Sequence, residues 1–173
     1  VYDPSTRTWS EVPGPGLKLH HMQCVVADNK IWIVSAWKGN CCTETNVPKI
    51  YIFDTLTSTW STKAGLPEAR RRGGGAAVLY GRDIYVVAGN RGGHGLGKGV
   101  ANAWFDKYNI DSNQWTTNLP DAPHARDHTG GAIVSGNKLC VAGGRDSGAA
   151  AYYFNATILP TDCYDFAAGQ WQV

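Results

Sequence analysis

The sequence predicts an all-β fold built from a repeated four-stranded unit, and three observations carry that prediction. Trp9, Trp60, Trp115 and Trp171 recur at intervals of 51, 55 and 56 residues, each seven places after an aromatic residue, namely Tyr2, Phe53, Tyr108 and Tyr164. Every one of those aromatics is followed by Asp or Asn, as in Phe53-Asp-Thr-Leu-Thr-Ser-Thr-Trp60. Upstream lie pairs of short apolar runs joined by tight polar turns, and no stretch shows a useful length of helical amphipathic periodicity.

Taken in order, the chain opens with a hairpin across Tyr2 and Trp9. The paired runs that follow are Cys24–Ala27 with Ile31–Val34, Ala76–Leu79 with Ile84–Val87, and Ala132–Val134 with Leu139–Ala142. The intervening turns, Asp28-Asn29, Gly81-Arg82-Asp83 and Ser135-Gly136-Asn137, supply residues that tolerate positive φ. With strands named A to D, each repeat is a meander whose C strand carries the aromatic and whose D strand carries the Trp. The expected units are a C–D hairpin at 1–12 and blades at 20–63, 73–117 and 129–173.

Gly143-Gly144 closes one B strand, with Ala88-Gly89 and Ser35-Ala36 in the same place in the other two. In this pattern the chain resembles the kelch family of β-propellers, whose repeat is a B strand ending in Gly-Gly followed by Tyr and Trp at set spacing. The resemblance covers essentially the whole chain. It implies a kelch β-propeller segment of three complete blades and a leading hairpin. The segment is expected to be part of a six- or seven-bladed ring, with the remaining blades of the propeller as its neighbours.

Composition bounds the function. A formal net charge of +2, with no Lys/Arg run beside a stacking platform, argues against nucleic acid as a partner. No apolar run approaches the roughly twenty residues of a membrane span. Five cysteines, Cys24, Cys41, Cys42, Cys140 and Cys163, show no zinc-ligand spacing. Cys140 and Cys163 fall on neighbouring antiparallel strands, where a disulfide is geometrically allowed; free thiols are the other reading, with Cys24 and Cys140 buried as small hydrophobes. Asn155-Ala-Thr157 is an acceptor sequon for N-glycosylation. The sequon, the cysteines and the low charged fraction of 17% together point to a secreted or extracellular glycoprotein.

In such a meander the B–C and D–A connections share one face, and here they are the long ones. Irregular loops on a rigid scaffold are where binding residues concentrate. They direct Arg71, Arg72, Arg91, His94, Arg126, Asp127, His128, Arg145 and Asp146 toward one surface. Arginine's planar fork suits carboxylates, so the expected ligand is an anionic protein segment or a carboxylate-bearing glycan. Arg72 and Arg126 stand evenly between ligand contact and scaffold, because in kelch repeats an Arg entering strand A commonly pairs with neighbouring blades. His94, flanked by glycines, is expected to be exposed, with Asp127 and Asp146 orienting the arginines. Trp104 is read as inter-blade packing. His124 and His128 flank Asp127, a trio suited to metal or acid–base chemistry, but an Asp127 that braces its own loop is the reading preferred.

The resemblance implies a non-catalytic binding module for a protein or glycan partner, with no cofactor and no metal. Some kelch-like propellers are copper oxidases of the galactose oxidase type; this chain has no Tyr-His dipeptide and no recognisable Cys–Tyr crosslink site, so none of that copper site carries over residue by residue, and the second reading, part of a secreted glycan-acting enzyme of that type, places the site in the rest of the propeller. No sialidase Ser-x-Asp-x-Gly-x-x-Trp box is present. A structural matrix role is the third reading.

Overall fold

Strand register explains the spacing of the aromatics. The computed structural model describes residues 1–40, 43–94, 99–148 and 156–173. In it each aromatic faces its Trp across a C–D hairpin: Tyr2 with Trp9, Phe53 with Trp60, Tyr108 with Trp115 and Tyr164 with Trp171. Their ring centroids lie 5.1 to 5.3 Å apart, the range of favourable tilted aromatic pairs. The Asp or Asn that follows closes the turn. Oδ1 of Asp3, Asp54, Asn109 and Asp165 accepts the backbone N–H groups two and three residues on, so the side chain does the work of a turn carbonyl.

The leading hairpin pairs β1 (Tyr2–Asp3) with β2 (Thr8–Trp9). Next come β3 (Leu19–His20), β4 (Cys24–Ala27), β5 (Lys30–Ile33), β6 (Trp37–Lys38), β7 (Thr45–Asn46), β8 (Lys49–Asp54) and β9 (Thr59–Ala64). The first blade has the order β4-β5-β8-β9, while β3, β6 and β7 form a separate three-stranded sheet made from the long loops. That small sheet was not foreseen in the sequence. After a single 3-10 turn at Glu68–Arg70, the second blade runs β10 (Ala76–Tyr80), β11 (Asp83–Asn90), β12 (Ala101–Asn109) and β13 (Gln114–Leu119). The third runs β14 (Ala132–Ser135), β15 (Lys138–Val141), β16 (Asp162–Asp165) and β17 (Gln170–Gln172). All pairings are antiparallel. Among the described residues no helix is long and apolar enough to cross a membrane.

The cores lie between blades rather than within them. Period-2 alternation sends Ile84 and Val86 of β11 toward Trp32, Val34, Ile50 and Ile52 of the first blade. Tyr85 and Val87 point the other way, toward Leu139 and Val141 of the third. A strand buried on both faces must be apolar throughout, as β11 is. The indole N–H groups add a second latch between blades: Trp60 donates to the carbonyl of Pro13, Trp115 to Ala64 and Trp171 to Pro120. Trp60 and Trp115 are therefore half-buried latches, not fully buried anchors.

Cys140 and Cys163 are directly opposite on β15 and β16 and form a disulfide, with sulfurs 2.06 Å apart. Cys24 is an exposed free thiol, which corrects its reading as a buried hydrophobe. Cys41, Cys42 and the sequon residue Asn155 lie outside the described residues.

Candidate functional site

Arg72 and Arg126 hold the same place in consecutive blades. Each stands one residue before the residue that bridges to the B-strand side: Gly73 opposite Asn90, and Asp127 opposite Arg145. Both side chains are buried. Arg72 donates to Asp106 Oδ2 at 2.6 Å and to the carbonyls of Arg70, Val86, Ala88 and Trp104. Arg126 donates to Asp162 Oδ2 at 2.8 Å and to the carbonyls of Gly143 and Pro160. Burial lowers the Arg72 pKa to about 10 while Asp106 pulls it upward, so the guanidinium stays charged at neutral pH. A Cβ on Gly89 would stand 2.9 Å from the Gly73 carbonyl and 3.1 Å from Arg72 Cγ, so glycine is required where the arginine passes. In the first blade Leu19 and Tyr51 take the equivalent positions and pack with Ile33, Ala36 and Val47 instead.

One residue further on, the D–A loops of all three blades turn through left-handed backbone, at His21 (φ 51), Gly74 (φ 68) and His128 (φ 50). The chain of backbone bonds Gly74 N–H to His21 and Thr129 N–H to Gly74 ties the three turns together. His21 and His128 accordingly face the same centre, where His94 joins them from a B–C loop. The three imidazole centroids are 4.6 to 5.0 Å apart. The buried indole of Trp37 lies against all three at 4.7 to 5.7 Å and donates its N–H to the Asn90 carbonyl.

Two carboxylates stand behind this group. Glu44 accepts from His94 Nδ1 at 2.6 Å. Burial would raise the Glu44 carboxyl, but hydrogen bonds from the His94 side chain and from the backbone N–H groups of Glu44 and His94 hold it at about 2. Asp127, fully buried, accepts from His128 Nδ1, from Ser147 Oγ at 2.8 Å and from Asn90 Nδ2 at 3.1 Å. Burial opposes its ionisation, yet these bonds hold it below the usual carboxylate range. His21 is pushed down to about 4 by burial and then by the fields of His128, His94 and His20.

Beside this centre is an open shelf. Trp104 and Arg91, with Gly92, Val100 and Asn102, line a cavity of about 390 Å³. The guanidinium carbons of Arg70, Arg72 and Arg91 lie 4.4, 5.7 and 5.9 Å from the Trp104 ring centroid, within cation–π range. Arg70 and Arg72 converge on the carboxylate of Asp106, and Asp121 adds a second negative field at Arg72.

No family model matches the chain. "Kelch-like protein terF" of Aspergillus terreus is 30% identical over 157 residues, covering 85% of this chain and 32% of the relative. "Kelch-like protein 25" of Xenopus tropicalis is 27% identical over 170 residues, covering 98% of this chain and 25% of the relative. The solved structure of YjhT superposes with a TM-score of 0.69 at 16% identity, over 93% of this chain and 52% of that one. The chain belongs to the kelch-repeat family. It spans about a third or less of the length of the curated relatives it matches.

Within this kelch segment the residues singled out in the sequence divide. Arg72, Arg126 and Asp127 are buried in the scaffold and do not reach the surface, because each is the centre of a network joining separate strands. Arg71 is half-buried, its Nε–H held by the Leu66 carbonyl. Arg91 is exposed, and His94 is only half-exposed because Glu44 draws it inward. Arg145 sits 3.1 Å from His128 and 3.7 Å from Asp127. Asp146 caps its own turn, accepting from Gly148 N–H rather than orienting an arginine. The trio around Asp127 separates: His124 bonds Asp162 at 2.7 Å, and only His128 meets Asp127. Trp104 is a half-exposed platform instead of inter-blade packing. Sequence reasoning missed Glu44, His21, Trp37 and Arg70 as site residues. Aligning the repeats would have found His21, which occupies the position of His128.

Proposed function

We propose that this propeller segment is a non-catalytic module that binds a protein partner through its B–C and D–A loop face, laying a carboxylate-bearing segment over Trp104 and against Arg91. The observation that carries this reading is the shelf itself, the exposed guanidinium of Arg91 beside the accessible indole of Trp104. A charge-assisted bond to a partly desolvated carboxylate is worth about 1.5–3 kcal/mol, enough to set affinity from one contact. The Cys140–Cys163 disulfide supports an oxidising, extracellular setting for this binding.

The test is an array of Asp/Glu-rich, neutral and Lys-rich peptides, with a sialylated and neutral glycan panel as a second arm. Retention of acidic peptides, weakened about tenfold or more in Arg91→Ala and Trp104→Ala at unchanged melting temperature, supports the reading. Retention of anionic glycans alone assigns the shelf to carbohydrate and rejects a protein partner. No anionic ligand, or binding equal to wild type in both variants, removes the shelf as the site.

A further inference from the structure

We propose that His21, His94 and His128 form a binding site for a divalent late first-row metal ion, zinc being the probe of choice. One ring nitrogen from each of the three lies within 4.8 Å of the others. This is a separate site from the peptide shelf, and its ligands come from three different loops.

The argument rests on where the protons sit. An ionised carboxylate only accepts, so Glu44 and Asp127 draw an N–H from Nδ1 of His94 and of His128 respectively. Neutral imidazole carries one proton, so with Nδ1–H on each ring both Nε2 atoms are acceptors, and that of His128 also meets Arg145 Nη2 at 3.1 Å. Those two nitrogens are 2.9 Å apart. Two lone pairs at that distance repel unless a cation lies between them. Nitrogen ligands at about 2.0–2.1 Å in a tetrahedral arrangement stand about 3.3 Å apart, so a metal needs the pair to open by only a few tenths of an ångström.

The surroundings fit the same occupant. A carboxylate behind each metal-facing imidazole is the arrangement that orients histidine ligands and raises their basicity. The Glu44 side chain is 1% exposed and that of Asp127 0%, so two negative charges are sealed behind the rings. Among the described residues Arg145 brings a cation to the centre, with Nη2 3.1 Å from His128 Nε2. With Glu44 and Asp127 these described groups sum to one negative charge, which a dication offsets; metal binding displaces the Arg145–His128 contact, while Arg145 keeps its bond to Ser147 Oγ at 3.1 Å and its ion pair with Asp127 at 3.7 Å. His21 and His128 both occupy left-handed backbone, where histidine is among the enriched non-glycine residues, and their rings meet at the centre 4.8 Å apart. A cavity of about 220 Å³ lined by His21, Met22, Gln23, Thr129 and His128 gives room for water at the open coordination position.

Zinc binding measured by calorimetry, with cobalt substitution read by its visible spectrum, tests the site. The expected result is one ion per chain, a tetrahedral cobalt signature and a melting temperature that rises with zinc. Glu44→Gln should weaken affinity about 10- to 100-fold. His94→Ala should weaken it further still. His21→Asn, which tolerates the left-handed turn, should do the same without unfolding the loop, and His124→Ala should change nothing. Absence of saturable uptake, or wild-type uptake by His94→Ala and His21→Asn, overturns the proposal. So does nitrogen NMR that shows a proton bridging His94 and His128 and unmoved by excess zinc.

Discussion

Arg72 and Arg91 hold their guanidinium carbons at nearly the same distance from one indole ring, 5.7 and 5.9 Å from the Trp104 centroid, yet they do opposite things. Arg72 is 1% exposed and spends its five N–H groups on Asp106 and four carbonyls; Arg91 is exposed, and among the described residues its guanidinium makes one long bond, to the Glu68 carbonyl at 3.4 Å. The first knits strands A, B and C of its blade. The second is the one proposed to meet a partner. The guanidinium is the same, so what assigns its role is whether a carboxylate waits inside the blade. The first blade makes the same point in reverse, with Leu19 and Tyr51 closing the space that Arg72–Asp106 and Arg126–Asp162 close elsewhere.

The largest expected effect follows from that contrast. Arg126→Ala should destabilise the fold by about 3–5 kcal/mol in denaturant titration, because it strands Asp162 as a buried unpaired charge. Arg126→Leu combined with Asp162→Tyr imports the first blade's solution, and should recover at least half of the loss; no recovery would mean the pin is more than a way of filling space. Next in size is Trp115→Ala. The side chain is half-buried and its N–H latches to Ala64 at 3.1 Å, so we expect a loss of about 1.5–3 kcal/mol, below that of a fully buried aromatic.

Much of the scaffold was legible because its cues are local. A seven-residue gap between aromatics and an Asp or Asn at the turn encode one C–D hairpin, and four copies encode a repeat. The loop face was legible from loop length alone. Arginine roles were not, because the deciding partners, Asp106 and Asp162, lie 34 and 36 residues downstream of Arg72 and Arg126. The histidine centre was hidden for the same reason. Its members approach from separate loops, while the neighbours in sequence, His124 and His128, are sent to different carboxylates.

Acidification should separate the two regions further. Glu44 is held at about 2, so its contribution is complete above its ordinary value of 4.5 and is lost as pH falls from there toward 2. His21 is depressed to about 4, so the unfolded chain takes up a proton first, and stability falls between pH 6.5 and 4 by at most about 3 kcal/mol. Urea titrations across that window should show the slope, and His21→Asn should flatten it. An unchanged slope would mean the imidazole is not shielded. The smallest stability effect belongs to Arg91→Ala, expected within about 0.5 kcal/mol of wild type, since the removed group is exposed.

The division between pinning and partner-facing arginines is tested most directly by measuring stability and acidic-peptide affinity together in Arg91→Ala and Arg126→Ala. The account predicts a crossover. Arg91→Ala keeps its melting temperature and loses about tenfold or more in affinity, whereas Arg126→Ala loses stability while its folded fraction binds as wild type does. Two variants that move the same quantity, in the same direction, would contradict it.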